Sequence, residues 1–319
     1  MQNPNFSVVR WILVASLLLP LNVLADHHQK SILVTGASTG IGRHLTQTLA
    51  ENGHHVYAGA RKDKDLAALN AIENVTAVQL DVTQQDQVDA VVALIKKNGS
   101  GLHGLVNNAG VGGGGEVVST PLSEQTFVFD VNVEGVYRTT QAFAPLVIES
   151  KGRIITTGSI AGTISWGGGS AYSGSKHWIE AFTDALAEEM EPQGVSVSVV
   201  EPGNYKSNIR RSGVARKITL EESAGRAISN DMRQRLEETA KRELALKEPD
   251  EVSEAFMHAL FDEAPLRRYV VVPNAEEQDR TIRTKLLELV QLNTWGPYSY
   301  SREELVKILD ETLATQDAP

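Results

Sequence analysis

Residues 35–42 read Thr-Gly-Ala-Ser-Thr-Gly-Ile-Gly, and this glycine-rich stretch is the strongest indicator of the fold. A β-branched run at residues 31–34 precedes it, and a helical segment at residues 41–52 follows it and ends at Gly53. Glycine permits positive φ angles and close approach to a pyrophosphate, while a helix N-terminus offers unpaired N–H groups. The stretch therefore predicts the phosphate loop of a dinucleotide-binding fold, with G-x-x-x-G-x-G rather than G-x-G-x-x-G spacing.

Strand and helix patterns alternate through most of the remaining chain. The predicted strands cover residues 31–34, 55–58, 75–80, 105–107, 153–157, 195–200 and 269–272, and the predicted helices cover residues 41–52, 65–71, 85–97, 127–149 and 173–191. Such alternation implies right-handed crossovers and a parallel sheet covered on both faces. We therefore predict an α/β fold, a Rossmann-like doubly wound parallel sheet of about seven strands, with ligands at the carboxyl ends of the strands.

Two segments interrupt this alternation. Residues 204–248 form a charged, mostly helical insertion, which predicts a small helical cap. Residues 281–314 form a helical C-terminal tail that residues 293–297 interrupt. Because no low-complexity linker divides the chain, we predict a single Rossmann-fold domain over residues 26–319.

The N-terminal 25 residues differ in character from the rest. Arg10 precedes an apolar stretch from Trp11 to Leu24, and polar residues follow Ala25. This pattern is typical of a signal peptide, with an uncleaved N-terminal anchor as the alternative. The basic flank lies only on the N-terminal side, so the positive-inside tendency places the remainder outside the cytoplasm. We expect export to the periplasm, or attachment to a membrane through this segment alone.

Composition excludes several classes of function. The chain has 319 residues, of which 41% are hydrophobic, and this is ample for one large core. The formal net charge of -10 argues against nucleic acid as a partner. The chain has no cysteine, which excludes disulfides, thiolate metal sites and cysteine nucleophiles.

The end of the second strand distinguishes two cofactors. An NAD site needs an acidic residue there to hold the ribose 2′-hydroxyl, but this position is Ala60, and Arg61 follows it. A guanidinium group matches the oxygens of a 2′-phosphate. The sequence therefore favours NADP. NAD remains the alternative, because Asp63 or Asp65 could serve the ribose instead.

Tyr172 and Lys176 are four residues apart at the start of a predicted helix, so they share one helix face. A free phenol has a pKa of ~10, too high for a base near neutrality. A neighbouring ammonium group favours the phenolate and is expected to lower that pKa. Tyr172 is therefore a candidate general acid and base, with Lys176 as the group that adjusts it.

Further residues stand at the ends of other strands. Asn107 to Gly110 end the fourth strand, Ser159 follows the fifth, Pro202 and Gly203 end the sixth, and Asn132 lies in the long helix. Together with the glycine loop and Y-x-x-x-K, their order and spacing over residues 30–207 resemble the short-chain dehydrogenase/reductase family.

By this resemblance, Tyr172 is the acid and base, Ser159 polarises the substrate carbonyl, and Lys176 also binds the nicotinamide ribose. Asn132 would hold the water of a proton relay. The residues expected to contact the cofactor are Gly36, Ser38, Gly40, Ile41, Gly42, Arg61, Asp81, Asn108, Tyr172, Lys176, Pro202, Gly203 and Ser207. Ser207 replaces the family's threonine and still offers a hydroxyl. The resemblance also implies a homo-oligomer and requires no metal.

The expected reaction moves hydride between nicotinamide and a carbonyl or secondary alcohol. Residues 199–205 resemble the retinol- and hydroxysteroid-dehydrogenase-like branch, and Ile164 and Trp166 predict an apolar pocket wall, which together favour a lipophilic substrate. The alternatives are an NAD-dependent alcohol dehydrogenase of the same family and a sensor that binds NADP without turnover. A nucleotide-sugar epimerase fits less well, because its glycine spacing differs and the cap here is small.

Overall fold

A computed structural model describes residues 29–223, 225 and 227–316. Seven strands of this part form one parallel sheet in the order β3-β2-β1-β4-β5-β6-β7. The strands are β1 (Ser31–Val34), β2 (His55–Ala60), β3 (Val75–Gln79), β4 (Gly104–Asn107), β5 (Arg153–Thr157), β6 (Ser196–Pro202) and β7 (Arg268–Val271). The strand order reverses between β1 and β4, and a crevice opens there at their carboxyl ends. The predicted fold class is confirmed.

Alternation of side chains along each strand gives the sheet two buried faces. In β1, Ile32 and Val34 belong to one apolar cluster, while Leu33 between them belongs to the other. In β4, Val106 and Leu105 divide in the same way. Successive strand residues point to opposite faces, so a strand that is apolar throughout must be covered on both sides.

Helices cover both faces of the sheet. They are α1 (Gly40–Glu51), α2 (Asp63–Asn70), α3 (Gln85–Asn98), α4 (Leu122–Phe129), α5 (Gly135–Glu149), α6 (Ser170–Met190), α7 (Ile209–Ser223), α8 (Asn230–Leu244), α9 (Asp250–Phe261), α10 (Ala275–Leu292) and α11 (Arg302–Gln316). Helices α1 and α9 supply apolar side chains to one cluster, and α3, α5 and α6 supply them to the other. Helix α9 is an element that the sequence patterns did not predict.

The long helix predicted over residues 127–149 is divided in the structure. Helix α4 begins at Leu122, directly after Pro121, and a π-helical turn over Asp130–Glu134 separates it from α5. A π turn inserts one extra residue into a helical path and is frequent at functional sites. The turn carries Asn132, whose side chain it presents to the loop after β4.

The predicted insertion and tail are both helical. The insertion contains α7 and α8, which pack against each other, and the tail contains α10 and α11. Helix α10 begins at Ala275, earlier than the sequence predicted, because Asn274 caps it by accepting a hydrogen bond from the N–H of Glu277.

The predicted signal peptide or anchor lies outside the described residues. Among the helices that are described, none has the length and apolar character that crossing a bilayer requires.

Candidate active site

The glycine loop between β1 and α1 lies close against the end of β4. Gly36 has a φ angle of +65°, and a Cβ atom there would lie 2.7 Å from the Cα atom of Ala109. A Cβ atom on Gly42 would lie 2.2 Å from the side-chain nitrogen of Asn108. Helix α1 begins at Gly40 without a side-chain hydrogen bond at its N-cap. The loop is therefore a backbone cradle beside an open helix N-terminus, which suits a diphosphate.

Asn108 joins the carboxyl ends of β1, β4 and β5. Its Nδ2 atom donates to the carbonyl oxygens of Thr35 and Gly36 at 3.0 and 3.2 Å, and its Oδ1 atom accepts from the Thr157 hydroxyl at 3.2 Å. The Thr35 hydroxyl in turn accepts the N–H groups of Asn108 and Ala109 at 3.0 and 2.9 Å. These bonds hold the strand ends at the crevice in one fixed arrangement.

A cleft of about 430 Å³ opens above these strand ends. All the residues that the sequence predicted to contact a cofactor line it, together with Ser159: Gly36, Ser38, Gly40, Ile41, Gly42, Arg61, Asp81, Asn108, Tyr172, Lys176, Pro202, Gly203 and Ser207. Residues from six strand ends and two helix starts are thus brought to one cavity. Their individual roles toward a cofactor remain predictions.

The cleft is basic where β2 ends. Arg61 lines it with its side chain 57% exposed, and its Nη1 atom lies 3.7 Å from a carboxylate oxygen of Asp81. Lys62 and Lys64 also line this end of the cleft, as does Asp65. Neither lysine was predicted from the sequence, although the run Arg-Lys-Asp-Lys at residues 61–64 indicates a basic strand end.

Lys176 lies behind the ring of Tyr172. Its Nζ atom is 5.8 Å from the ring centroid and donates to the carbonyl oxygen of Thr157 at 2.6 Å. Burial lowers the pKa of Lys176 to about 8, and the charge of Glu180 opposes this shift. The helix spacing therefore brings ammonium and phenol together as predicted, with the ammonium bound to a strand carbonyl.

The predicted pKa shift of Tyr172 is wrong in direction. Burial raises the pKa of Tyr172, and a hydrogen bond to Ser159 and the charge of Arg210 only partly oppose that rise. Desolvation disfavours the charged phenolate, and the nearest ammonium group is bound to the Thr157 carbonyl. Near neutral pH the phenol is therefore protonated.

Ser159 stands between β5 and a short 3₁₀ turn over Ile160–Gly162. Its hydroxyl accepts the N–H of Ala161 at 3.1 Å and donates to the carbonyl oxygen of Pro202 at 3.4 Å. It also hydrogen-bonds the Tyr172 phenol. Two hydroxyl groups from different elements therefore converge on one point, where a substrate oxygen could bind both.

Asn132 lies beneath this pair and does not line the cleft. Its Nδ2 atom donates to the Val111 carbonyl and to the Ser175 hydroxyl, each at 3.0 Å, and its Oδ1 atom accepts the Val111 N–H at 2.8 Å. The side chain is 1% exposed. It ties the loop after β4 to α6, and the water-relay role remains a prediction.

A second cavity, of about 690 Å³, adjoins the cleft. The loop after Gly110, residues 164–166 and the insertion line it, as the sequence predicted. Ile164 and Trp166 are wall residues, although Trp166 is also 52% exposed. Arg280 and Thr284 of α10 also line the cavity and were not predicted, because no local pattern in the sequence shows that the tail returns to the site.

The two cavities share one boundary. Ser159 and Tyr172 line both of them, as do Gly203, Tyr205 and Ser207. A group bound in one cavity therefore meets a group bound in the other at the two converging hydroxyls. No set of three His, Asp or Glu side chains within the described residues is placed to hold a metal ion.

Comparison with known proteins identifies relatives of this arrangement. The sequence profile of the family described as short chain dehydrogenase matches residues 30–217. The chain is 33% identical over 268 residues to bovine mitochondrial D-beta-hydroxybutyrate dehydrogenase, covering 75% of this chain and 76% of that protein. It is 31% identical over 264 residues to rat 17-beta-hydroxysteroid dehydrogenase type 6, covering 77% of this chain and 82% of that protein.

A solved structure shows the same architecture. The crystal structure of a short-chain dehydrogenase from Streptomyces avermitilis superposes with a TM-score of 0.66 at 26% identity, covering 91% of this chain and 99% of that one. The fold, the converging hydroxyls and these matches lead to one conclusion. The chain belongs to the short-chain dehydrogenase/reductase family and is an oxidoreductase that acts on CH–OH or carbonyl groups with NAD(P).

Proposed function

We propose that the protein is an NADP(H)-dependent oxidoreductase that moves hydride between nicotinamide and a lipophilic ketone or secondary alcohol, with Tyr172 as the general acid and base. The observation that carries this proposal is the shared boundary of the two cavities. Ser159 and Tyr172 face both the cleft with the glycine loop and the cavity with the apolar wall. A dinucleotide and a carbonyl compound would therefore meet at a proton donor.

The residues of the cleft fit a dinucleotide. The loop positions nearest to Asn108 and Ala109 are glycines, and a Cβ atom at Gly36 or Gly42 would fill space within 3 Å of neighbouring atoms. The open N-terminus of α1 would hold the diphosphate, and Lys176 and Tyr172 would hold the far ribose. When bound, the cofactor supplies or accepts the hydride.

The NADP preference rests on charge at the end of β2. Ala60 takes the position where an acidic residue would bind a ribose 2′-hydroxyl. Arg61, Lys62 and Lys64 surround the same end of the cleft, which provides three cations against Asp65 and the Arg61-bound Asp81. A 2′-phosphate would pair with this excess of positive charge.

The residues at the boundary suit carbonyl reduction. Because burial keeps Tyr172 protonated, its phenol can donate a proton to the oxygen that becomes the alcohol. Ser159 would hold that oxygen through its hydroxyl, and the buried Lys176 ammonium would stabilise the phenolate left behind. In the oxidation direction the proton transfer is reversed, and the phenolate of Tyr172 would accept the proton of the alcohol.

A lipophilic substrate is supported by the cavity wall. Ile160, Ile164, Trp166, Val214 and Leu246 line the larger cavity. Such a surface favours burial of an apolar group at about 25 cal/mol per Å². The rat relative is named for a hydroxysteroid, which agrees with a bulky apolar substrate.

The cofactor proposal is tested with Arg61→Ala. We expect the KM for NADPH to rise about 10- to 100-fold, since a charge-assisted hydrogen bond is removed, while the KM for NADH stays nearly constant. Lys97→Ala, at an exposed position near the end of α3, is the matched control. An equal loss with both cofactors would contradict the NADP assignment and favour the NAD-dependent alternative.

The acid–base proposal is tested with Tyr172→Phe. We expect kcat for ketone reduction to fall by about 10²- to 10⁴-fold, because the proton donor is removed. NADPH binding, measured by fluorescence, should persist. Unchanged turnover would eliminate Tyr172 as the donor, and cofactor binding without turnover in the unaltered protein would favour the sensor alternative.

Location and assembly are separate proposals. We propose that residues 1–25 export the chain or anchor it to a membrane, which requires NADP(H) to bind before export or to be present at the final location. N-terminal sequencing of the purified native protein tests this, with Asp26 as the first residue if cleavage follows Ala25. The homo-oligomer implied by the family remains a prediction.

A further inference from the structure

Three cations line the substrate cavity beside its apolar wall. Helix α7 turns one face toward the cavity, and that face carries Arg210 and Lys217 on either side of Val214. Helix α10 contributes Arg280 and, one turn later, Thr284. The spacings of three, four and seven residues show that these side chains belong to single helix faces. Two separate helices therefore bring positive charge to one cavity.

These cations have no carboxylate partners among the described residues. The guanidinium of Arg210 donates to the neutral amide of Asn204. Within residues 29–316 except 224 and 226, no carboxylate oxygen lies within 4.0 Å of the charged side-chain nitrogens of Arg210, Lys217 or Arg280. Two neighbouring cations that do not line the cavity are paired with carboxylates. Arg216 binds Glu124. In α10, Arg283 binds Asp279 at 2.7 Å.

The carboxylate of Glu243, among the described lining residues, is already hydrogen-bonded to backbone groups. Glu243 is 4% exposed, and its Oε1 atom accepts the backbone N–H groups of Arg210 and Arg211 at 2.9 and 3.3 Å. It thus stabilises the first turn of α7, where a negative charge is favoured by the helix dipole. With three cations and one occupied carboxylate, the lining of the cavity carries a net positive charge.

We propose that the substrate is a hydroxy or oxo acid, with an apolar chain along the wall and a carboxylate held by Arg210, Lys217 and Arg280. This inference rests on the proposed function, which puts the reacting carbon beside Ser159 and Tyr172. Arg210 and Arg280 are exposed and Lys217 is half-buried, so all three can reach a ligand in the cavity and bind an anion through charge-assisted hydrogen bonds. The charge of Arg210 also reaches the reacting end, since it lowers the pKa of Tyr172 against the larger effect of burial.

The test compares acids with their neutral esters. The probes are 4-oxononanoate and 8-oxononanoate, each beside its methyl ester, with NADPH oxidation as the readout. We expect at least one acid to exceed its ester about 10-fold in kcat/KM, because only the acid places a carboxylate among the cations. The two probes differ in the distance between carbonyl and carboxylate, so the preferred one locates the anion along the cavity.

Variants then assign the effect to the cavity. Lys217→Met and Arg280→Gln should each raise the KM for the preferred acid about 10-fold and leave that for its ester nearly unchanged. The matched control is Arg283→Gln, one turn along α10, whose side chain binds Asp279 instead of lining the cavity. It should change neither KM.

The outcomes separate the two proposals. Equal kcat/KM for every acid and its ester, with NADPH consumed, overturns the acid substrate and leaves the oxidoreductase intact. If no probe is reduced, binding is measured by calorimetric titration of the NADPH-loaded protein. Tighter binding of an acid than of its ester would support the anion site, although the proposed reaction would be contradicted. Equal binding, or none, overturns the anion site.

Discussion

The cleft and the larger cavity share Ser159 and Tyr172 but differ in the composition of their linings. The cleft is made largely of backbone: glycines at the end of β1, the N-terminus of α1, and strand ends joined through Asn108. The cavity combines glycines of two loops with side chains from the start of α6, the inserted α7 and the tail helix α10. A backbone site suits one constant cofactor, whereas a side-chain site can vary with the substrate.

NADPH binding at the cleft is expected to change most. Gly42→Ala would place a Cβ atom 2.2 Å from the Asn108 side-chain nitrogen and 2.6 Å from the Gly36 carbonyl oxygen. The crevice must widen to accept it, so NADPH affinity should fall by about 100-fold or more, which corresponds to roughly 2.7 kcal/mol. Equilibrium fluorescence titration measures the loss.

The matched control is Gly174→Ala, inside α6. A Cβ atom there meets its nearest neighbour, Phe129, at 3.7 Å, which is ordinary contact. Alanine is a better helix former than glycine, so this variant should gain up to about 1 kcal/mol of stability. Equal behaviour of the two variants would contradict the view that the cleft depends on backbone approach.

The second effect is on the free energy of unfolding and depends on pH. Burial lowers the pKa of Lys176 from 10.5 to about 8. Between these values the unfolded chain binds more protons, so the free energy of unfolding rises with pH relative to Lys176→Met, by up to about 3 kcal/mol. Below pH 8 both states are protonated and the difference is constant. Urea unfolding of the cofactor-free proteins from pH 7 to 10.5 measures it, and parallel profiles would contradict a buried ammonium.

The smallest effect concerns the attachment of α7, which forms part of the cavity wall. Arg216 of α7 binds Glu124 of α4 through both carboxylate oxygens and lies 3.9 Å from the centroid of the Phe127 ring. The pair is partly exposed, so Arg216→Ala should cost about 1–2 kcal/mol of stability. Because α7 lines only part of the cleft, the KM for the ketone should rise more than the KM for NADPH.

The control for the wall is the exposed pair between Arg235 and Asp231 on α8. Removing it with Arg235→Ala should change stability by at most about 0.5 kcal/mol. If Arg216→Ala instead weakened NADPH and ketone binding equally, the two cavities would not be separable parts of the site.

Much of the cleft could be predicted from sequence, because its residues stand in short motifs at strand ends. The glycine loop, Asn108, Tyr172 and Lys176 all line it as expected. The incorrect predictions concern properties that depend on burial or packing. Helix periodicity placed Lys176 beside Tyr172, but only the structure showed that desolvation raises the Tyr172 pKa.

The substrate side was predicted only in outline. The insertion was recognised as a cap, yet nothing local in the sequence related Arg280 to Lys217, since tail and cap are distant in the chain. Likewise, the π turn that presents Asn132 interrupts a segment that reads as one continuous helix.

The sheet, the order of its elements and the candidate reacting side chains could all be predicted from the sequence alone. Local periodicity and glycine positions carry that information, because each depends on neighbouring residues alone. The protonation of Tyr172, the shared boundary of the two cavities and the three cations without carboxylate partners became visible only in the folded chain. These properties depend on which distant groups lie together after folding, and no short stretch of chain encodes that.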